Sequence, residues 1–175
     1  MTLGPSPSML PARLRTYFVP ACLASLAVLL ASFHLEHVLG LVPCPLCFSQ
    51  RLLLGVYSLV GLCAMLHFPG PYGQLRYSRA MLAFAVGGAL LAGRHVWLQG
   101  EEAAHSCPLP FMQVLERSWG EAARQLLLGG PDCNSLTWSF LELTLPEWSL
   151  LAFLLLAALP LSCLLAYRFR TLAKG

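Results

Sequence analysis

Pro45–His67 reads PLCFSQRLLLGVYSLVGLCAMLH, and it carries one formal charge, Arg51. That is close to the ~20 residues that cross a hydrocarbon core about 30 Å thick as a helix. Helix is the form expected, because lipid cannot satisfy free backbone amides. Three more apolar runs of this kind lie at about Thr16–Leu35, Arg79–Leu98 and Trp148–Tyr167. The third is the weakest, with Arg94 and His95 near its end. The first follows Arg13 and Arg15 and so resembles a signal peptide. Its length and the lack of a small-x-small cleavage site favour an anchor. The chain therefore reads as one all-α membrane domain, residues 1–175, built as a four-transmembrane-helix bundle.

Composition agrees. The 175 residues are 57% apolar and 11% charged, against roughly 45–50% and about 25% in soluble domains. These values exclude a disordered chain, a coiled coil and a typical cytosolic enzyme. The net charge of +3 gives no reason to expect a nucleic-acid partner.

The placement of charge sets the orientation. Arg13, Arg15, Arg76, Arg79, Arg168, Arg170 and Lys174 fall in the N-terminal segment, the 68–79 loop and the tail, which hold no acid. All eight acids, from Glu36 to Glu147, fall in the other two loops. The excess of Lys and Arg predicts cytoplasmic termini. The loops at about 36–44 and 99–147 then face outward, toward a compartment such as a bacterial periplasm, where disulfides persist.

The seven cysteines divide by depth on this topology. Cys22, Cys63 and Cys163 lie toward the cytoplasmic side and read as small apolar fillers. Cys63 is sixteen residues from Cys47, roughly 24 Å along a helix, too far to join it. Cys44, Cys47, Cys107 and Cys133 share the outer face. Cys44-Pro45-Leu46-Cys47 is a CxxC motif at the start of a membrane helix. Zinc sites use two such pairs, or one pair with histidines. A redox dithiol needs one pair, and the positive end of a helix favours its thiolate. Pro45 suits a first helical position.

Arg51 follows Cys44 by seven residues and Cys47 by four, which predicts one shared helix face. A charge costs about 2.5–3.5 kcal/mol at the centre of a membrane helix and less near its edge. Arg51 either snorkels to the surface or serves as a cation that stabilises a thiolate or polarises a bound carbonyl. The shared face favours the second role. Between Cys107 and Cys133, the apolar stripe Phe111, Leu115, Trp119, Ala122 and Leu126 predicts a short amphipathic helix over about 111–128. It would lie in the interface and be stopped by Gly129-Gly130-Pro131. Two outer cysteine pairs suit an electron relay between a soluble protein and a lipid-soluble oxidant. They also suit two static staples.

The run His37-Val38-Leu39-Gly40-Leu41-Val42-Pro43-Cys44-Pro45-Leu46-Cys47-Phe48-Ser49-Gln50-Arg51 resembles the signature of the DsbB family, disulfide bond formation protein B. So do Asp132-Cys133, Trp138-Ser139-Phe140-Leu141-Glu142-Leu143 and Pro146-Glu147-Trp148. The likeness covers about residues 15–168. It implies a multi-pass thiol:quinone oxidoreductase of the bacterial inner membrane. Such an enzyme reoxidises a periplasmic thioredoxin-fold, DsbA-like partner and reduces ubiquinone or menaquinone. By position, Cys107 resembles the cysteine that forms the mixed disulfide with that partner, and Cys133 its loop mate. Cys44 resembles the cysteine that exchanges with the loop pair. Cys47 resembles the thiolate that engages the quinone ring, and Arg51 the arginine beside it.

His95 resembles a position at the end of the family's third helix. It is carried as a quinone-site residue, with a headgroup-facing role as the alternative; His105 has no safe counterpart. The resemblance implies no resident metal. Rival readings are a metal-handling protein using Cys44, Cys47 and His37, which forms an i, i+3 pair with His34, and a structural protein with static disulfides. A vitamin K epoxide reductase type is disfavoured, because there the loop pair precedes the CxxC.

Overall fold

The computed structural model describes residues 10–40, 44–67, 69–99, 116, 118–130 and 139–173. Cys107, Cys133 and His105 lie outside them. The described helices are α1 (Leu10–Leu39), α2 (Pro45–His67), α3 (Pro71–Gln99), α4 (Trp119–Leu128) and α5 (Leu145–Leu172). Four of them are long and apolar enough to cross a membrane. The fold is an all-α four-helix bundle with a short fifth helix at one end.

Three of the long helices outrun the apolar stretches that predicted them. α3 begins at Pro71 rather than near Arg79, so Arg76 and Arg79 are helical and not in a loop. α1 and α5 likewise extend past their apolar runs. A hydropathy reading sees only the part matched to hydrocarbon, whereas a polar flank keeps its intrahelical hydrogen bonds beyond it. α2 has the predicted bounds.

The bundle packs α1 on α2, α2 on α3, and α3 on α5. Phe18, Leu54, Tyr57, Met81, Phe153 and Leu156 fill its centre. Leu30, Leu59, Leu90 and Leu155 stay exposed on its outside, as expected of a lipid-facing surface. Small residues set the spacing. Gly88 lies under Phe153, and a Cβ there would run into the ring. Ser25 and Ser58 hydroxyls meet at 2.8 Å across α1 and α2.

Pro160 sits inside α5. It has no N–H to give the carbonyl four residues earlier, Leu156. In lipid that carbonyl needs another donor. Tyr57 supplies it, its hydroxyl donating to the Leu156 oxygen at 2.8 Å. The proline gap in one helix is thus closed by a side chain from another.

Before α5, Ser139–Phe140 (β1) and Leu143–Thr144 (β2) form an antiparallel hairpin. Leu141 (φ 53°) and Glu142 (φ 63°) make its two-residue turn, both in the left-handed region, as a type I′ turn requires. Glu147 reaches back to accept from the Thr144 N–H at 2.6 Å, a favourable placement for an acid at a helix N-terminus.

The helix expected over 111–128 is interrupted at Ser118: Glu116 is helical, and a new helix begins at Trp119. Ser118 is extended (φ −156°, ψ 111°) and its hydroxyl accepts from the Glu121 N–H, so α4 starts at Trp119. Serine competes for backbone donors and caps a helix rather than continuing it. Residues 111–115 and 117 lie outside the described set. The far end is at Gly129, as the Gly-Gly-Pro stop predicts.

Candidate functional site

Cys44 is the N-cap of α2. Its carbonyl accepts the first helical hydrogen bond, from Phe48 at 3.1 Å. Its Sγ accepts from the Cys47 N–H at 3.4 Å. Pro45 follows at the first helical position, where its missing N–H costs nothing. This local geometry folds the CxxC so that the two sulfurs lie 3.0 Å apart, in a helix N-terminal field that favours thiolate.

α3 brings His95 to the pair. The ring is fully buried. Its Nε2 lies 3.6 Å from Cys44 Sγ and its Nδ1 4.0 Å from Cys47 Sγ. His34 and His37 are exposed on α1. The three-residue group of sulfur and nitrogen ligands found among the described residues is Cys44, Cys47 and His95.

A cavity of about 380 Å³ opens beside the pair, between α1, α2, α3, the hairpin and α5. Cys47, Arg51 and His95 line it. Cys44 is buried behind, against Leu46, Leu91 and Leu98. The shared face expected for Cys44, Cys47 and Arg51 therefore holds for the last two only. Cys44 precedes the first helical residue, so helical spacing does not govern its direction.

Arg51 does not snorkel free. Its guanidinium pairs with Glu36 of α1. Its Nε donates to Ser32 Oγ at 2.7 Å and its Nη2 to the Ser32 carbonyl at 3.2 Å. The Phe33 ring covers the guanidinium at 4.8 Å. Ser32 and Glu36 are four residues apart, one face of α1, and that spacing was the available signal for this partner set.

Gln50 and Ser149 were not anticipated. Ser149 Oγ donates to Gln50 Oε1 at 2.8 Å, tying α2 to α5. Gln50 lines the cavity, and its buried Nε2 has no partner among the described residues. Phe140 and Trp148 close the same side, with the indole donating to the Phe140 carbonyl at 3.0 Å.

α4 packs over this end of the bundle. Ser49 Oγ donates to the Leu126 carbonyl at 2.7 Å, and Arg94 Nε to the Leu128 carbonyl at 3.3 Å. Both carbonyls belong to the last turn of α4, which lacks intrahelical donors. Gly129 (φ 90°) lets the chain pass, since a Cβ there would meet Leu46 Cδ1 at 2.9 Å. A Cβ on Gly130 would meet Pro45 Cγ at 3.7 Å.

A membrane helix bundle that holds a CxxC beside an apolar cavity at one end defines a class of membrane protein built for disulfide chemistry. The family model for disulfide bond formation protein DsbB matches residues 14–163. The chain belongs to the DsbB family. It is 70% identical over 167 residues to disulfide bond formation protein B 2 of Pseudomonas putida, covering 95% of this chain and 99% of that one. It is 65% identical to the protein of that name from Pseudomonas entomophila, over 93% and 97% of the two chains. It is 38% identical to disulfide bond formation protein B of Methylococcus capsulatus, over 84% and 92%. No solved structure matches.

Proposed function

We propose that the protein is a bacterial inner-membrane thiol:quinone oxidoreductase with both termini in the cytoplasm, which reoxidises a periplasmic DsbA-like dithiol protein. The observation that carries this reading is the Cys44–Cys47 pair, 3.0 Å between sulfurs, with Cys47, Arg51 and His95 on the wall of an apolar cavity.

The cavity residues suit a quinone ring, either ubiquinone or menaquinone. Its volume falls in the usual range for small-molecule sites, roughly 300–1,000 Å³. The wall is largely apolar, and the spare Gln50 N–H is a donor matched to a ring carbonyl. When bound, a quinone supplies an acceptor for two electrons and two protons.

The chain's own residues divide the remaining work. Cys107 takes the mixed disulfide with the reduced partner, and Cys133 is released as a thiol. Cys133 attacks the Cys44–Cys47 disulfide at Cys44, which frees Cys47 as the thiolate on the cavity side. Each exchange needs an accessible thiolate and a nearby disulfide. His95 lies against both sulfurs and can hold or return a thiol proton. Arg51, held by Glu36 and Ser32, fixes a positive group on the cavity wall, where low dielectric strengthens its effect on an oxygen that gains charge.

The test is to mix the protein in detergent with reduced DsbA and a soluble quinone and to follow quinone absorbance. Reduction that requires both Cys44 and Cys107, shown with Cys44→Ser and Cys107→Ser, supports the relay. No turnover, with two intact and unreactive disulfides, overturns it in favour of static staples.

A further inference from the structure

We infer that the reduced protein binds one thiophilic d¹⁰ cation, of which zinc(II) is the type, through Cys44, Cys47 and His95. A CxxC pair alone makes half of a zinc site; a histidine makes it three-quarters of one. The histidine that the sequence offered near the pair, His37, is exposed on α1. The fold supplies His95 from 48 positions away, with all three ligand atoms within 4.8 Å of one another.

The distances suit coordination. Bonds of about 2.3 Å to sulfur and about 2.0–2.1 Å to nitrogen in a tetrahedron put ligand atoms roughly 3.5–3.8 Å apart. With Nε2 as the ligand, Cys44 Sγ is 3.6 Å away, and with one atom taken from each residue the three ligand atoms lie within 4.8 Å of one another. The sulfurs, 3.0 Å apart, need to open slightly, which a side-chain rotation at Cys47 provides. One ring nitrogen ligates and the fourth position stays open toward the cavity.

The electrostatics also permit it. Arg51 is paired with Glu36, which offsets part of its repulsion of a metal cation. A buried Cys44 thiolate beside a half-buried Cys47 thiolate is costly without a counter-charge, and a dication neutralises both. Binding releases one proton from each thiol still protonated, and no electron moves. Oxidised sulfurs in a disulfide are not thiolate ligands, so the site exists in the reduced state only. Binding rests on this geometry alone. Its consequence, that metal holds the dithiol reduced and stops turnover, rests on the relay reading above.

The test uses the full chain in detergent with Cys107→Ser and Cys133→Ser, reduced and then titrated with zinc(II), and with cobalt(II) for its thiolate and tetrahedral absorption bands. One equivalent should bind, with thiolate–cobalt bands. Bound zinc should protect Cys44 and Cys47 from a thiol oxidant. His95→Asn should weaken binding at least about tenfold, Cys44→Ser plus Cys47→Ser should abolish it, and His37→Asn should leave it unchanged. Circular dichroism checks that each variant keeps its helices, and His95→Gln serves if His95→Asn does not fold. Unchanged affinity in the folded His95 variant, or equal binding by the oxidised protein, overturns the proposal. Neither result touches the quinone assay, so the two readings fail separately.

Discussion

Arg51 of α2 and Glu36 of α1 form an ion pair on the cavity wall, with Ser32 completing the guanidinium's hydrogen bonds. The pair makes the arginine a fixed part of the wall rather than a mobile surface charge. Removing one partner of a largely buried pair is costly because it strands the other. Glu36→Gln should therefore lower stability by about 1–3 kcal/mol, read as thermal unfolding in detergent. A variant as stable as the parent would show that solvent already screens the pair.

Arg51→Ala separates two roles. It should weaken quinone use while leaving exchange with the partner's thiols near the parental rate. The two half-reactions can be timed apart, by single-turnover thiol trapping and by quinone absorbance. Equal loss of both would make Arg51 a structural tie between α1 and α2.

Tyr57 and Pro160 make a cycle. Tyr57→Phe leaves the Leu156 carbonyl without its donor and should cost about 1–3 kcal/mol. Pro160→Ala restores an N–H four residues after Leu156, so the double variant should recover much of that loss. A double variant no better than Tyr57→Phe alone would mean that Tyr57 acts only by packing.

Gly88 sets the α3–α5 spacing at Phe153. Gly88→Val should push α5 away and destabilise the bundle by about 1–3 kcal/mol, a typical overpacking cost. Trp148 and Ser149 sit one turn from Phe153 on the cavity wall, so quinone affinity should fall as well. Fluorescence quenching of the four tryptophans by added quinone would measure it. Parental affinity with lowered stability would confine the effect to packing.

On the proposed relay, Cys133→Ser removes the thiol that pairs with and resolves Cys107. The free Cys107 thiolate should then attack the disulfide of oxidised DsbA, opening it to a thiol and forming a mixed disulfide visible on a non-reducing gel. Absence of that adduct with a competent partner would count against Cys107 as the residue that joins the partner.

Much of the bundle was legible because each span is an uninterrupted apolar run of about the length that crosses a hydrocarbon core. The Pro45–His67 helix, the Gly129 stop and the CxxC at a helix start all follow from local residue choice. The helix ends elsewhere were not, since Arg76 and Arg79 read as loop charges though they continue α3. The hairpin was invisible because its turn residues, Leu141 and Glu142, are not those that favour positive φ. The wall around Arg51 was only partly legible. Glu36 counted as a loop acid, and its meeting with Arg51 depends on how α1 crosses α2. His95 could be placed on a helix from sequence, but its 3.6 Å approach to Cys44 depends on α3 packing against α2.

The docking of α4 has a kinetic consequence. Ser49 and Arg94 hold its last turn, and Gly130 lies against Pro45. Cys133 is three residues past Gly130, so covalent length alone keeps its Cα within about 11 Å of that glycine. On the proposed relay, a thiol on so short a leash would meet the CxxC at an effective concentration of order millimolar or above, whatever the concentration of partner outside. Lengthening the chain between Gly130 and Pro131 should slow the internal exchange and leave the first encounter with the partner unchanged. On that relay the helix acts as a mooring post, raising the local concentration in a step that is first-order because both dithiols share one chain.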